Sequence, residues 1–199
     1  MPVPRIGLTT EQVEAFRERA VAVATELFGE RGYQGVTLRS LAAELGVSPM
    51  TPYRYFENKE ELFAMVRADA FRRFADAQRD ASALPADPAE SLQALGMAYV
   101  RFALAQPSAY RIMFELQQAP AGTYEALERE QARAFSFLHA AVQGAIDAGL
   151  MDGDPLHQAH MMWAKVHGLV SLHLAGKLGM GCTLEDLLPE VFDQRRAAE

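Results

Sequence analysis

The chain has 199 residues, of which 50% are hydrophobic and 23% charged, with one cysteine and a formal net charge of −7. That length and apolar content suit one or two domains with a real core and exclude a disordered, collagen-like or disulfide-stapled protein; Cys182 alone makes neither an internal disulfide nor a cysteine-based zinc site. The acidic total argues against nucleic acid, yet residues 31–59 carry +2 and leave −9 for the rest, a modestly basic stretch on an acidic body.

In chain order, Phe16, Ala20, Val23 and Leu27 recur at helical offsets and predict an amphipathic helix, with Thr9 or Thr10 as N-cap and Gly32 as terminator. Thr37 caps a second helix whose buried face is Leu38, Leu41, Ala42 and Leu45, and Gly46 ends it. Asn58 caps a further helix with an inner stripe of Leu62, Phe63, Val66, Ala70 and Phe74. In residues 81–90, ASALPADPAE, Pro85 and Pro88 break the helical pattern and mark a domain boundary. Beyond it, helical segments are expected at 89–105, 107–117, 121–148, 155–178 and 184–195, separated by proline- and glycine-containing junctions. No strand-like alternation persists, so the expected fold class is all-α. No apolar run approaches the roughly 18 residues of a membrane span, and MPVPRIGLTT lacks the apolar stretch of a signal peptide. A soluble cytoplasmic protein is the expectation.

The sharpest local signal is LRSLAAELGVSPMTPYRYF, residues 38–56, which has the layout of a helix-turn-helix. Leu41, Leu45 and Val47 can fill the angle between two helices, small Ala42 allows a close crossing, and Gly46 supplies a left-handed turn. Ser48 can cap the second helix or meet a phosphate. The outer side would then offer Met50, Thr51, Tyr53, Arg54 and Tyr55, with Pro49 beside them and Lys59 as a phosphate clamp. Arginine reads guanine bidentately, threonine or methionine packs on a thymine methyl, and tyrosine hydroxyls bond phosphate. Phe56 is expected in the core.

The longer run ATELFGERGYQGVTLRSLAAELGVSPMTPYRYFENKEEL resembles the N-terminal domain of TetR-type transcriptional regulators, notably at Gly32, Tyr33, Thr37, Leu41, Ala42, Gly46, Val47, Tyr53, Tyr55, Phe56 and Lys59. The resemblance implies a three-helix DNA-binding head over about residues 14–74, with its reading unit near 37–56. It also implies phosphate-contacting roles for Thr37, Tyr53, Tyr55 and Lys59. Pro52 departs from the family's common leucine. Either Ser48 caps with Pro49 as first helical residue, or Thr51 caps with Pro52 first; we favour a loose or 3₁₀ opening turn and regular helix from Pro52.

Residues 89–195 are expected to form a helical-bundle domain for ligand binding and dimerisation. Trp163, then His167-Gly168, resembles a TetR-family C-terminal type carrying Trp and His-Gly on a late helix. Candidate ligand-binding residues are Tyr99, Phe102, Tyr110, Met113, Phe114, Trp163 and His167, large or adaptable side chains suited to a pocket. The family's last long helices commonly pair across a two-fold axis; here Gly144 and Ala148, with Ala164, Gly168, Ser171 and Ala175, would permit close approach in segments 121–148 and 155–178. Two reading units would then lie roughly 34–36 Å apart on a near-palindromic operator.

No enzyme signature is present: no phosphate loop, no Gly-x-Ser-x-Gly elbow and no paired Glu-x-x-His, so no catalytic residue and no cofactor is expected. His157, His160 and His167 could share a helix face, but Asp154 and His157 form the lone Asp-x-x-His, and no metal site is expected. The leading expectation is therefore a homodimeric repressor on double-stranded DNA, released by a small-molecule effector and independent of membranes. The alternative is a ligand-independent architectural or partner-binding regulator with the same head.

Overall fold

The computed structural model describes residues 9–83, 87–114 and 123–192. The breaker Pro85, the expected helix ends at 117 and 195 and the expected start at 121 lie outside them. The described residues are helical throughout, with no strand among them.

Helix α1 (Thr10–Arg31) starts from a capping box, in which Thr9 Oγ1 accepts from the Gln12 amide while Gln12 Oε1 accepts from the Thr9 amide. Its buried stripe runs Phe16, Ala20, Ala24, Leu27 and Phe28, with the expected Val23 only half-buried. At Gly32 the backbone reaches φ 65°, a left-handed conformation glycine adopts without strain, and its N–H donates to Phe28 O. Thr37 caps α2 (Leu38–Glu44) through the Ser40 amide, and Leu38, Leu41 and Ala42 face inward.

Asn58 Oδ1 accepts from the Glu61 amide and opens α3 (Lys59–Ser82). These 24 residues form one rod of about 36 Å. Leu62, Phe63 and Val66 pack with α1, α2 and Phe56 in a head core, whereas Ala70, Phe71, Phe74 and Ala75 belong to a second, larger core. The stripe expected to end in the head at residue 74 is thus divided between two cores, and the helix continues to Ser82.

The body contains α4 (Pro88–Ala105), α5 (Pro107–Met113), α6 (Glu125–Asp147), α7 (Pro155–Leu174) and α8 (Leu184–Phe192). Proline stands at the first position of α4, α5 and α7, where its missing N–H costs nothing. Tyr99, Phe102, Tyr110, Met113, Val166, Val170 and Leu184 join the second half of α3 in the body core.

Head and body meet chiefly along α1, α3 and α5. Ile112 of α5 is buried within the head core, Arg111 Nη1 donates to Gly29 O at 3.1 Å, and Ser108 Oγ donates to Glu26 Oε2 at 3.1 Å. The contact is close enough that a Cβ placed on Gly29 would lie 2.5 Å from Ser108 Cβ.

Candidate nucleic-acid interface and buried cavity

After α2, Gly46 takes a left-handed φ of 66° and Val47 N–H donates to Ala42 O, which turns the chain toward residues 48–56. These do not form the regular helix expected from Pro52. They make a turn closed by Thr51 N–H to Ser48 O at 2.8 Å, then a single 3₁₀ turn, Pro52–Arg54, closed by Arg54 N–H to Thr51 O and Tyr55 N–H to Pro52 O. Pro52 has no amide proton, so the bond from its position back to Ser48 that would join the two turns into one helix cannot form, and Phe56 N–H to Pro52 O at 3.0 Å ends the segment. Thr51 occupies the N-cap position and Pro52 is the first residue of the turn, as one of the two openings has it, but Thr51 is in helical conformation and its side chain makes no cap bond.

The turn is anchored from beneath. Pro52 and Phe56 are buried, the Tyr55 ring stacks on Phe16 at 4.0 Å, and Arg17 Nη2 donates to Tyr55 O at 2.9 Å. Tyr55 is only 8% exposed, which corrects its expected place on the outer side: its ring is a packing surface for α1. Facing outward instead are Met50 at 66% and Tyr53 at 47%, together with Ser48, Pro49 and Arg54; Thr51 is half-buried.

At the two ends of this surface, Thr37 is exposed with its hydroxyl bound to Ser40, and Lys59 is half-buried. Lys59 Nζ lies 4.0 Å from the centre of the Tyr33 ring and donates to Tyr33 O at 3.2 Å. Tyr33 in turn donates its hydroxyl to Glu60 Oε1 at 2.7 Å. Burial and that carboxylate push the Tyr33 phenol up to about 12, while the same hydrogen bond lowers Glu60. Lys59 is therefore held in place rather than swinging freely.

The body holds a partly open cavity of about 160 Å³ between α3, α4, α6 and α7. Of the expected ligand residues, Tyr99, Phe114 and Trp163 line it. Phe102, Tyr110, Met113 and His167 do not, which is a correction. Phe102 packs edge-on against Phe74 behind the wall, and Met113 is fully buried with its carbonyl accepting from Arg67 Nη2.

Tyr110 and His167 stand one layer further back. The Tyr99 and Tyr110 hydroxyls each lie 2.9 Å from His167 Nδ1, and Ser171 Oγ lies 3.3 Å from Nε2. A neutral imidazole with its proton on Nε2 satisfies this set, accepting at Nδ1 and donating to Ser171. Burial lowers His167 from its ordinary value and raises both tyrosines.

Sequence reasoning missed the wall supplied by Phe71, Phe74 and Gln78, because α3 was assigned to the head. Their spacing continues the inner stripe one to three turns beyond Val66, which was the available signal. On the outer side of the body, Leu156, Met161 and Leu172 of α7 are exposed large hydrophobics, and Ala164 and Ala175 are exposed beside them. A Cβ placed on Gly144 or Gly168 would meet nothing within 4 Å, so both small residues face away from the subunit's own core. His157 and His160 are exposed, and His160 Nδ1 lies 2.8 Å from Leu156 O on its own helix.

Residues 20–66 match the family model of bacterial regulatory proteins of the tetR family, and residues 92–194 match that of a tetracyclin repressor-like C-terminal domain. The HTH-type transcriptional regulator Rv1816 of Mycobacterium tuberculosis is 23% identical over 207 residues, covering 88% of this chain and 87% of its own. Among solved structures, a protein of unknown function from Rhodococcus sp. RHA1 is 25% identical with a TM-score of 0.78 and 96% coverage of both chains. The transcriptional regulator FadR from Bacillus subtilis, solved in complex with stearoyl-CoA, is 17% identical with a TM-score of 0.74, covering 88% of this chain and 95% of FadR.

Proposed function

This chain belongs to the TetR family and is a DNA-binding transcriptional regulator, not an enzyme; from that premise we propose that it is a homodimeric repressor which a small molecule releases from its operator. The observation that carries the reading is the outward display of Met50, Tyr53 and Arg54 on a turn locked by Phe16, Arg17 and buried Pro52. A fixed turn presents base-contacting groups without an ordering cost at each encounter. Arg54 and Met50 read base edges, while Thr37, Ser48, Tyr53 and Lys59 meet phosphates; Pro49 and Thr51 complete the contact surface. The head takes residues 14–74 and the ligand and dimer domain 89–195, and α3 joins them, its second half packing in the body core.

Exposed Met161, Ala164 and Leu172 recur at helical spacing along α7, with half-buried Gly168 between them and exposed Ala175 at its C-cap, and support pairing with a second copy. A two-fold dimer puts two reading turns roughly one DNA turn apart and requires a near-palindromic operator. No described helix is long and apolar enough to cross a membrane, and the protein acts where its DNA is, in the cytoplasm.

Release needs a ligand that prefers a different head arrangement. Two elements support that coupling: α3 lines the cavity with Phe71 and Phe74 and the head core with Phe63 and Val66, and α5 buries Ile112 in the head core two residues before Phe114 at the cavity. A tenfold loss of operator affinity requires only about 1.4 kcal/mol of differential binding. The test is a gel-shift selection on fragmented genomic DNA, followed by footprinting at rising salt. The expected outcome is a protected near-palindrome that outcompetes bulk DNA; uniform binding with no preferred fragment refutes the reading.

A further inference from the structure

Resting on the reading that the body takes an effector, we propose that the cavity binds an uncharged molecule about the size of one aromatic ring, carrying a single hydrogen-bonding group. Size comes first. An apolar cavity of about 150 Å³ takes benzene, and the one here measures about 160 Å³. That volume holds one ring and a small substituent.

Charge is settled by the lining. Among the described residues, no Asp, Glu, Lys, Arg or His faces the cavity. A carboxylate or phosphate inside would lose its hydration and find no counter-charge, a penalty that excludes the ionised form. His167 stands 4.5 Å from the Phe114 ring with its Nδ1 occupied by the Tyr99 and Tyr110 hydroxyls, His160 stands 4.6 Å from the Phe135 ring, and neither lines the cavity.

Shape follows from the walls. Phe71, Phe74, Tyr99, Phe114, Phe135 and Trp163 contribute six rings, several already meeting edge to face, including Phe74 with Tyr99 at 5.3 Å. Such a ring cage favours an aromatic guest over a flexible chain. Polar recognition is sparse: the Tyr99 hydroxyl is engaged with Tyr110 and His167, and Gln78 Nε2 donates to Leu95 O at 3.3 Å. The Gln131 amide makes no hydrogen bond among the described residues and is the group left to receive a hydroxyl, carbonyl or amide on the guest.

The chain contains one tryptophan, and it lines this cavity, so its fluorescence reports occupancy directly. The full-length protein is titrated with benzamide, benzoate, toluene and decanoyl-CoA, with calorimetry as the second readout. Benzamide and benzoate share a frame and differ in charge. Saturable binding of benzamide, with benzoate at least 100-fold weaker and decanoyl-CoA silent, is expected. Gln131→Leu should weaken benzamide at least tenfold and leave toluene unchanged, and Ala134→Leu should weaken both by filling space. Benzoate or decanoyl-CoA binding as tightly as benzamide overturns the ligand class while leaving an effector-responsive regulator in place. An unmoved Trp163 spectrum with all four compounds also overturns it. Operator binding by the unliganded protein is scored separately by gel shift, so loss of the regulator reading itself is distinguished from loss of this one.

Discussion

Gly29→Ala sets two opposing effects against each other at the joint between head and body. Within a helix, alanine is favoured over glycine by about 1 kcal/mol, so Gly29 in α1 looks like a site where the change should stabilise. The structure reverses that sign. The new Cβ would fall 2.5 Å from Ser108 Cβ, 2.7 Å from Ser108 Oγ and 3.0 Å from Ser108 Cα, all on a different helix. Relief requires α1 and α5 to separate, which also stretches the Arg111 and Ser108 hydrogen bonds to α1. Overpacking of this kind costs about 1–3 kcal/mol, and after the helical gain a net loss of up to about 2 kcal/mol remains. For a chain of this size that lowers Tm by up to about 8 °C. The assay is thermal and urea unfolding of four proteins: the native chain, Gly29→Ala, Ser108→Gly and the double variant. Ser108→Gly removes Cβ and Oγ, so the two changes should couple by at least about 1 kcal/mol and the double variant should recover most of the loss. A higher Tm for Gly29→Ala, or strict additivity in the cycle, refutes the contact.

Other consequences are equally direct. Arg54→Ala should weaken operator binding by about 1–3 kcal/mol and relax preference at one base pair, measured by gel shift against a panel of single-base operator variants. Tyr55→Leu, which removes the stack on Phe16, should lower unfolding stability by about 1–2 kcal/mol while leaving base preference among variant operators intact; a changed base preference would count against its packing role. Leu172→Arg places a charge on the exposed α7 stripe and should convert the dimer to monomer in sedimentation velocity, with a parallel loss of operator affinity. Burial holds His167 below its ordinary 6.5, so on acidification the unfolded chain takes up its proton first; stability is full above that value and declines as the pH falls through and below it. His167→Gln should flatten that part of the pH–stability curve in urea titrations, and an unchanged curve would remove His167 as its source.

The elements and caps were legible in the sequence wherever local chemistry decides them. Thr37, Asn58, and proline at the start of α5 and α7 act within one helical turn, and each marks an observed helix start, whereas Pro88, expected to break the pattern, is the first residue of α4. The failures share a cause in contacts between distant residues. Tyr55 was placed outward because tyrosine beside an arginine in a reading element suggests phosphate contact, yet Phe16, 39 positions earlier, stacks on its ring. The second helix of the motif was expected to become regular after Pro52, but Tyr55 and Phe56 turn into the core and Asn58 caps the next helix, which leaves space for a single turn. The cavity was half legible: Tyr99, Phe114 and Trp163 were identified by type, while Phe71 and Phe74 were assigned to the neighbouring domain because an unbroken periodic stripe carries no mark of where one core gives way to another.

Ile112 shows why the two parts are hard to exchange. Its side chain sits in the head core although its helix belongs to the body. A head cut away after Val66 would open an empty apolar socket to water, and a chimera that grafts this head onto another body would need a donor α5 bearing an equivalent plug. Operator preference in such hybrids is therefore inherited together with a piece of the sensor, and swapping one without the other yields a weakened scaffold rather than a rewired switch.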